Sequence, residues 1–204
     1  MSKVQPSDSL LLETIRIEDG EIHNLSYHQK RCNQSRKALF QSTDTLELSS
    51  IINPPHKGLY RCRILYAETL HSIDYIPYTP KKIQKLKIVS SDIEYSLKYA
   101  NRDALNALLE SNKDVDEVII EKNGYLTDTT ISNIAFFDGK QWFTPEKPLL
   151  EGTMRAKLID EGFLKTKQIK KEDLQNYSQV GLMNAMIGFK ILNMDNIQNI
   201  IKGK

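Results

Sequence analysis

Residues 116–144 read DEVIIEKNGYLTDTTISNIAFFDGKQWFT, and this stretch decides the fold class. Apolar runs at Asp116–Glu121, Ile131–Phe137 and Gln141–Thr144 are too short for helices and are punctuated by Asn123-Gly124 and Asp138-Gly139. Asn-Gly favours a type I′ turn, whose twist matches that of the flanking strands, so the segment reads as a hairpin series. Working outward toward the C-terminus, Gly152 precedes a helix over about Met154–Glu161, and Glu172–Tyr177 reads as another. Gln179–Ile187 and Lys190–Met194 are strand-like apolar runs. On the N-terminal side, Leu86–Val89 is a short strand, 96–101 is irregular, and Asp103 is placed to cap a helix to about Asn112.

The first part of the chain follows a different plan. Leu10–Ile17 alternates apolar and polar residues, Glu18-Asp19-Gly20 supplies a turn, and Glu21–Leu25 resumes as a second strand. A helix follows to about Phe40, with Ser26 as expected N-cap and Gln29 as the second member of a capping box. Past a loop with Asn53-Pro54-Pro55, Leu59–Ala67 alternates again, with Tyr60, Cys62, Ile64 and Tyr66 on one face and Arg61, Arg63 and Leu65 on the other. The aperiodic stretch 76–82 holds two prolines and suits a connector. We therefore expect an α+β protein with a small N-terminal α/β lobe over 1–80 and a larger strand-rich lobe over 81–204.

Composition narrows the class. Among 204 residues, 28 Lys+Arg stand against 26 Asp+Glu, so no excess charge calls for a polyanionic partner. Basic charge clusters no further than short pairs such as Lys81-Lys82 and Lys170-Lys171, with no polybasic stripe, which argues against nucleic acid. No apolar run approaches the roughly 20 residues that a membrane helix needs, and the polar opening MSKVQPSDS lacks the features of a leader, so a cytoplasmic protein is expected. Cys32 and Cys62 form no CxxC pair and read as reduced structural thiols, with no metal site.

Several segments, in order, resemble the class IV aminotransferases, the fold-type IV enzymes that use pyridoxal 5'-phosphate. Leu11-Leu12-Glu13-Thr14-Ile15-Arg16 with Asp19-Gly20 resembles the family's FETIR...DG strand, and His28-Gln29-Lys30-Arg31 its HxxR helix. Leu97-Lys98-Tyr99-Ala100-Asn101-Arg102 resembles the segment with the cofactor-binding lysine, and its spacing is closest to the aminodeoxychorismate lyase branch. Asn123-Gly124 through Asp128, Ser132-Asn133-Ile134, Thr144-Pro145, Leu150 through Arg155, and Met183-Asn184-Ala185 resemble the family's later motifs. The match runs over roughly residues 10–195.

The resemblance implies a two-lobed fold with pyridoxal phosphate as cofactor, and its residue roles are chemically reasonable. Lys98 would form the imine and, once freed by substrate, move the Cα proton. The phosphate suits a guanidinium, Arg31, together with backbone N–H groups at a helix start, where Gly152, Thr153 and Met154 lie. Asn184 and Ala185 are further candidates on the phosphate side. Asp128 stands where the family places a glutamate against the pyridinium nitrogen, keeping the charge but shortening the reach by one methylene. Nine residues precede Leu10, fewer than the family carries there, so the first lobe is expected to be reduced.

Arg61 and Arg63 suit one or two substrate carboxylates, with an exposed salt-bridging pair as the equal alternative. His28 reads as a structural hydrogen-bonding residue. The leading expectation is an enzyme of the aminodeoxychorismate lyase type acting on an amino-acid-like small molecule, releasing pyruvate and 4-aminobenzoate. A branched-chain or D-amino-acid transaminase is the nearest alternative, because one fold serves both reactions. A non-catalytic paralogue acting as an interaction module is the alternative of another class. A homodimer is expected from the resemblance alone.

Overall fold

The computed structural model describes residues 10–198, and the opening MSKVQPSDS lies outside them. Backbone packing divides the chain into two compact units. The first holds the described residues up to Pro80 together with Leu97–Arg102, and the second holds Lys81–Ser96 and the described residues from Asp103 onward.

In the first unit, β1 (Leu11–Glu18), β2 (Glu21–Ile22), β3 (Leu59–Tyr66) and β4 (Leu70–Pro77) form an antiparallel sheet in the order β2-β1-β3-β4. Asp19 and Gly20, with φ of 48° and 85°, make the tight β1–β2 turn. Alternation sends Leu11, Ile15 and Ile17 of β1 and Cys62, Ile64 and Tyr66 of β3 into one core. Helix α1 (Leu25–Phe40) covers them with Cys32, and the short α2 (Leu48–Ile51) adds Leu48.

The expected cap of α1 is displaced. The helix starts at Leu25, with Asn24 in the left-handed region and no side-chain cap bond, so Ser26 lies inside the first turn. Gln29 is committed elsewhere: its Nε2 donates to the Leu46 carbonyl at 2.9 Å, and its Oε1 accepts from the Leu48 N–H at 2.7 Å. It docks the loop after the helix instead of closing a capping box. Strand β4 was not legible in the sequence, because it is an edge strand with an interrupted apolar pattern, and Pro77 occupies its final rung, where a missing N–H is tolerated.

The sequence reading placed residues 97–102 in the second lobe as irregular chain, and the backbone places them in the first. Leu12 N–H donates to the Lys98 carbonyl and Ala100 N–H to the Leu10 carbonyl, both at 2.8 Å, with an isolated bridge between Leu11 and Tyr99. β2 reaches only Ile17 and Glu18 of β1, so the rest of that edge carries backbone groups that need partners, and this segment supplies them at Leu10 and Leu12.

The second unit is built on β5 (Leu86–Ser90), β6 (Glu117–Lys122), β7 (Tyr125–Thr129), β8 (Asn133–Phe137), β9 (Trp142–Pro145), β10 (Leu164–Lys167) and β13 (Ile197–Gln198). They run β10-β9-β8-β7-β6-β5-β13 in one mixed sheet, with β11 (Gln179–Asn184) on β8 and β12 (Gly188–Asn193) on β11. Asn123 and Gly124 both have positive φ, 52° and 79°, as a type I′ turn requires. Strand β7 follows that turn directly although its residues are largely polar.

Helix α3 (Asp103–Glu110) precedes β6, and α4 (Thr153–Asp160) follows β9. The helix expected at Glu172–Tyr177 is a 3₁₀ segment over Lys171–Asn176. Strand β8 is buried on both faces: Ile134 and Phe136 enter the main core with Ile119, Val180 and Leu182, while Ala135 packs with Met183, Leu158 and Leu164 on the face that α4 covers.

Candidate active site

The strand period puts Glu13 on the apolar, helix-facing side of β1, where an acidic residue is costly without partners. Helix α1 supplies them one turn apart, because positions 28 and 31 share a face. Arg31 Nε donates to Glu13 Oε1 at 2.8 Å and Arg31 Nη2 to Oε2 at 2.6 Å, while His28 Nδ1 lies 2.5 Å from Oε2. Burial alone would raise the Glu13 carboxyl, but the Arg31 charge and its hydrogen bonds, helped by His28, hold it down at about 2. Burial pushes His28 below its ordinary value against the pull of Glu13, and the Arg31 and Lys98 charges add to that push. Because the ionised carboxylate can only accept, His28 Nδ1–H is the donor of that bond. Lys98 belongs to this same unit, on the segment paired with β1.

The opposite face of the same sheet carries the arginines. Arg61 lies directly across from Arg16, and Arg63 across from Thr14. Arg16 Nη2 donates to Glu18 at 2.8 Å, Arg63 Nη1 stands 3.5 Å from Asp74, and the buried Arg61 Nε has no hydrogen-bond partner among the described residues. The structure therefore keeps Arg61 and Arg63 on one face and adds Arg16, which sequence reasoning passed over as part of a motif.

In the second unit a separate network forms where β7, β8 and β11 meet. Asp128 pairs with Asn133 across β7 and β8, and Met183 with Asn133 across β11. The Asp128 carboxylate, 3 % exposed, accepts from Asn133 Nδ2 at 2.7 Å and from the Leu150 N–H at 2.8 Å. Desolvation is the strongest influence on it and lifts its pKa to about 7 despite these bonds and the charge of Arg155. Asn133 Nδ2 also donates to the Leu150 carbonyl at 2.8 Å, so one amide fixes both the carboxylate and the approach to α4.

Gly152, the N-cap of α4, has an ordinary φ of −74°, so its role is spatial. A Cβ there would lie 1.8 Å from Asn133 Oδ1. The group that approaches the glycine closely is the Asn133 side chain. Thr153 is buried at the first position of α4 with Met154 beside it. Arg155, also buried, donates to the Pro145 carbonyl at 2.9 Å and to Glu151 at 2.5 Å, tying the helix to the end of β9. Asn184 closes the β11–β12 turn by accepting from Met186 N–H at 2.9 Å and Ile187 N–H at 3.0 Å. Its Nδ2 donates to Ile131 O and Ser132 Oγ, each at 3.1 Å, and Ala185 lies within this turn.

The expected residues thus fall into two groups: Lys98, Arg31, Arg61 and Arg63 in the first unit, and Asp128, Gly152, Thr153, Met154, Asn184 and Ala185 in the second. Sequence reasoning assigned no role to Glu13 or Asn133. Each is a polar residue in the buried phase of a strand, which is the signal that would have found them. Glu117 is a third such residue: its Oε1 accepts from Thr130 Oγ1 at 2.7 Å, and its buried Oε2 has no partner among the described residues.

The model of the amino-transferase class IV family matches residues 10–191. The chain belongs to that family. This class IV protein is 39 % identical over 184 residues to an uncharacterised protein of Haemophilus influenzae, covering 87 % of this chain and 98 % of the relative. A Schizosaccharomyces pombe protein, provisionally assigned as an aminodeoxychorismate lyase, is 28 % identical over 203 residues, covering 87 % of this chain and 86 % of that one. Among solved structures, a Haemophilus somnus 129pt protein provisionally assigned as a 4-amino-4-deoxychorismate lyase is 39 % identical, with a TM-score of 0.82 over 88 % of this chain and 97 % of its own. The class IV fold, α+β with few helices and large strand-rich sheets, is shared with it. Among the described residues no helix is long and apolar enough to cross a membrane.

Proposed function

We propose that this class IV protein is a pyridoxal-phosphate-dependent 4-amino-4-deoxychorismate lyase. The observation that carries the reading is the arrangement in the first unit: the Lys98 segment is hydrogen-bonded to β1, and the adjacent residue of β1, Glu13, grips Arg31. The donor set suits the cofactor. A lysine amine is the group that can hold its aldehyde, a guanidinium suits its phosphate, and a desolvated carboxylate suits its ring nitrogen. When bound, pyridoxal phosphate supplies an electron sink for negative charge at the substrate carbon that bears the amino group.

Lys98 would hold the cofactor covalently and, once freed by substrate, would take the proton from that carbon; the electron pair would expel enolpyruvate from the neighbouring carbon, and protonation of the enol would give pyruvate. In the first unit Arg31 suits the phosphate; in the second, the backbone N–H groups of Thr153 and Met154 and the Thr153 hydroxyl, at the start of α4, are groups of the kind that suit it as well. Asn184 holds the β11–β12 turn, which brings Ala185 to serve the same phosphate. Asp128 serves the ring nitrogen. Its bonds to Asn133, Leu150 and Leu149 leave acceptor capacity, since each carboxylate oxygen has two lone-pair directions. Arg61 and Arg63 bind substrate carboxylates. The protein acts as a homodimer in the cytoplasm.

The test is to give the purified protein, with pyridoxal phosphate, 4-amino-4-deoxychorismate and to follow pyruvate and 4-aminobenzoate. Equal amounts of both, lost in Lys98→Ala, are expected. Conversion of branched-chain or D-amino acids at the expense of a 2-oxo acid, with no release of 4-aminobenzoate, would replace the lyase with a transaminase. Activity on neither class of compound would favour the non-catalytic paralogue.

A further inference from the structure

We infer that Glu13 is a positioning residue that holds the Arg31 guanidinium side-on and so orients it for the cofactor phosphate before the cofactor arrives. The inference rests on the cofactor reading above and gives a role to a buried carboxylate that reading does not use. Glu13 holds Arg31 through Nε and Nη2 together, which fixes the guanidinium plane as one bond could not. His28 in turn fixes Glu13 through Oε2, so the carboxylate cannot rotate to follow a moving arginine.

Exposure points the same way. The Glu13 and His28 side chains are 0 % exposed and that of Arg31 is 11 %, so Arg31 is the member of the triad that reaches outward. Stability alone gives no reason for the arrangement. A buried ion pair is often matched or bettered by apolar residues of similar volume, and the Leu11, Ile15 and Ile17 core around β1 would accept one. Within the triad the Arg31 charge is balanced by that of Glu13. The triad's contribution to phosphate binding therefore comes from oriented N–H donors and not from surplus positive charge.

Glu13→Gln separates these views, because it keeps the shape and strips the charge that balances Arg31. The full-length protein, freed of cofactor, is titrated by equilibrium dialysis with pyridoxal 5'-phosphate and with pyridoxal, which lacks the phosphate. In the variant the preference for the phosphorylated form should fall about 10- to 100-fold, while pyridoxal binding changes by less than about 3-fold. Equal weakening of both ligands would make Glu13 merely structural, and tighter binding of the phosphorylated form would show that it opposes binding by neutralising Arg31. Either result overturns the inference. A wild-type protein with no preference for the phosphorylated form would instead overturn the cofactor reading itself.

If Glu13→Gln does not fold, the wild-type protein decides. The Arg31 Nε–H proton resonance, assigned by its loss in Arg31→Lys, should be sharp and slow to exchange before cofactor is added. A resonance that appears only after addition would show that the cofactor, not Glu13, orients the arginine.

Discussion

Gly152→Ala tests the second-unit network through a single methyl group. With φ at −74° the backbone accepts alanine without strain, so any cost comes from the side chain itself. The new Cβ would meet Asn133 Oδ1 at 1.8 Å and Cγ at 3.0 Å, distances that no small adjustment relieves. Asn133 cannot yield by turning, because its Nδ2 holds Asp128 at 2.7 Å and the Leu150 carbonyl at 2.8 Å. Overpacking of this kind costs about 1–3 kcal/mol, and loss of the bond to a buried carboxylate about 1–3 kcal/mol more. The sum, about 2–6 kcal/mol, corresponds to a fall in Tm of roughly 4–24 °C for a chain of this size. Thermal and urea unfolding measure it, and a double-mutant cycle locates it. Asn133→Ala removes the colliding atoms, so adding Gly152→Ala to that background should cost less than about 1 kcal/mol. A single variant within about 0.5 kcal/mol of wild type, or additive costs in the cycle, would refute the argument.

Other consequences are equally open to measurement. Glu13 is held at about 2, below its ordinary 4.5, so its contribution is complete above pH 4.5 and is lost as pH falls toward 2. That is about 3 kcal/mol of acid-sensitive stability, and urea unfolding across this range should show a slope that Glu13→Gln abolishes. Asp128 behaves in the opposite sense: lifted from 3.8 to about 7, it favours the folded protein most below pH 3.8 and progressively less up to pH 7. Its carboxyl carbon, followed by NMR, should titrate near 7, and a midpoint near 4 would contradict the burial argument. Asn184→Ala removes the bonds to Met186, Ile187, Ile131 and Ser132, so amide exchange at Met186 and Ile187 should accelerate by about 10-fold or more. Unchanged exchange would show that the turn holds by itself.

What the sequence made legible follows from what it encodes locally. Asn123-Gly124 specifies a turn through backbone sterics, and the alternation at Leu11–Glu18 and Leu59–Tyr66 specifies which side chains face α1. Both of these are local rules, and the chain obeys them. Strand β7 escaped notice because Thr127, Asp128 and Thr129 look like a loop, and only tertiary hydrogen bonds make their burial tolerable. The Leu97–Arg102 segment was misplaced because what fixes it is the open edge of a strand some ninety residues earlier. At the site, motif order singled out Lys98 and Arg31, but the residue that grips Arg31 sits fifteen or more positions away from its partners on another element. Motif order marks Gly152 as a phosphate-side residue, but its close packing against the Asn133 side chain is a tertiary contact that no local pattern encodes.

The central claim is that Lys98 carries the cofactor, and chemical trapping tests it most directly. The protein is incubated with pyridoxal phosphate, reduced with borohydride, digested, and its peptides are mapped by mass spectrometry. The account predicts one phosphopyridoxyl adduct, on Lys98, that disappears in Lys98→Ala without reappearing on another lysine. Trapping on a different lysine in the wild-type protein, or no trapping at all, would contradict it.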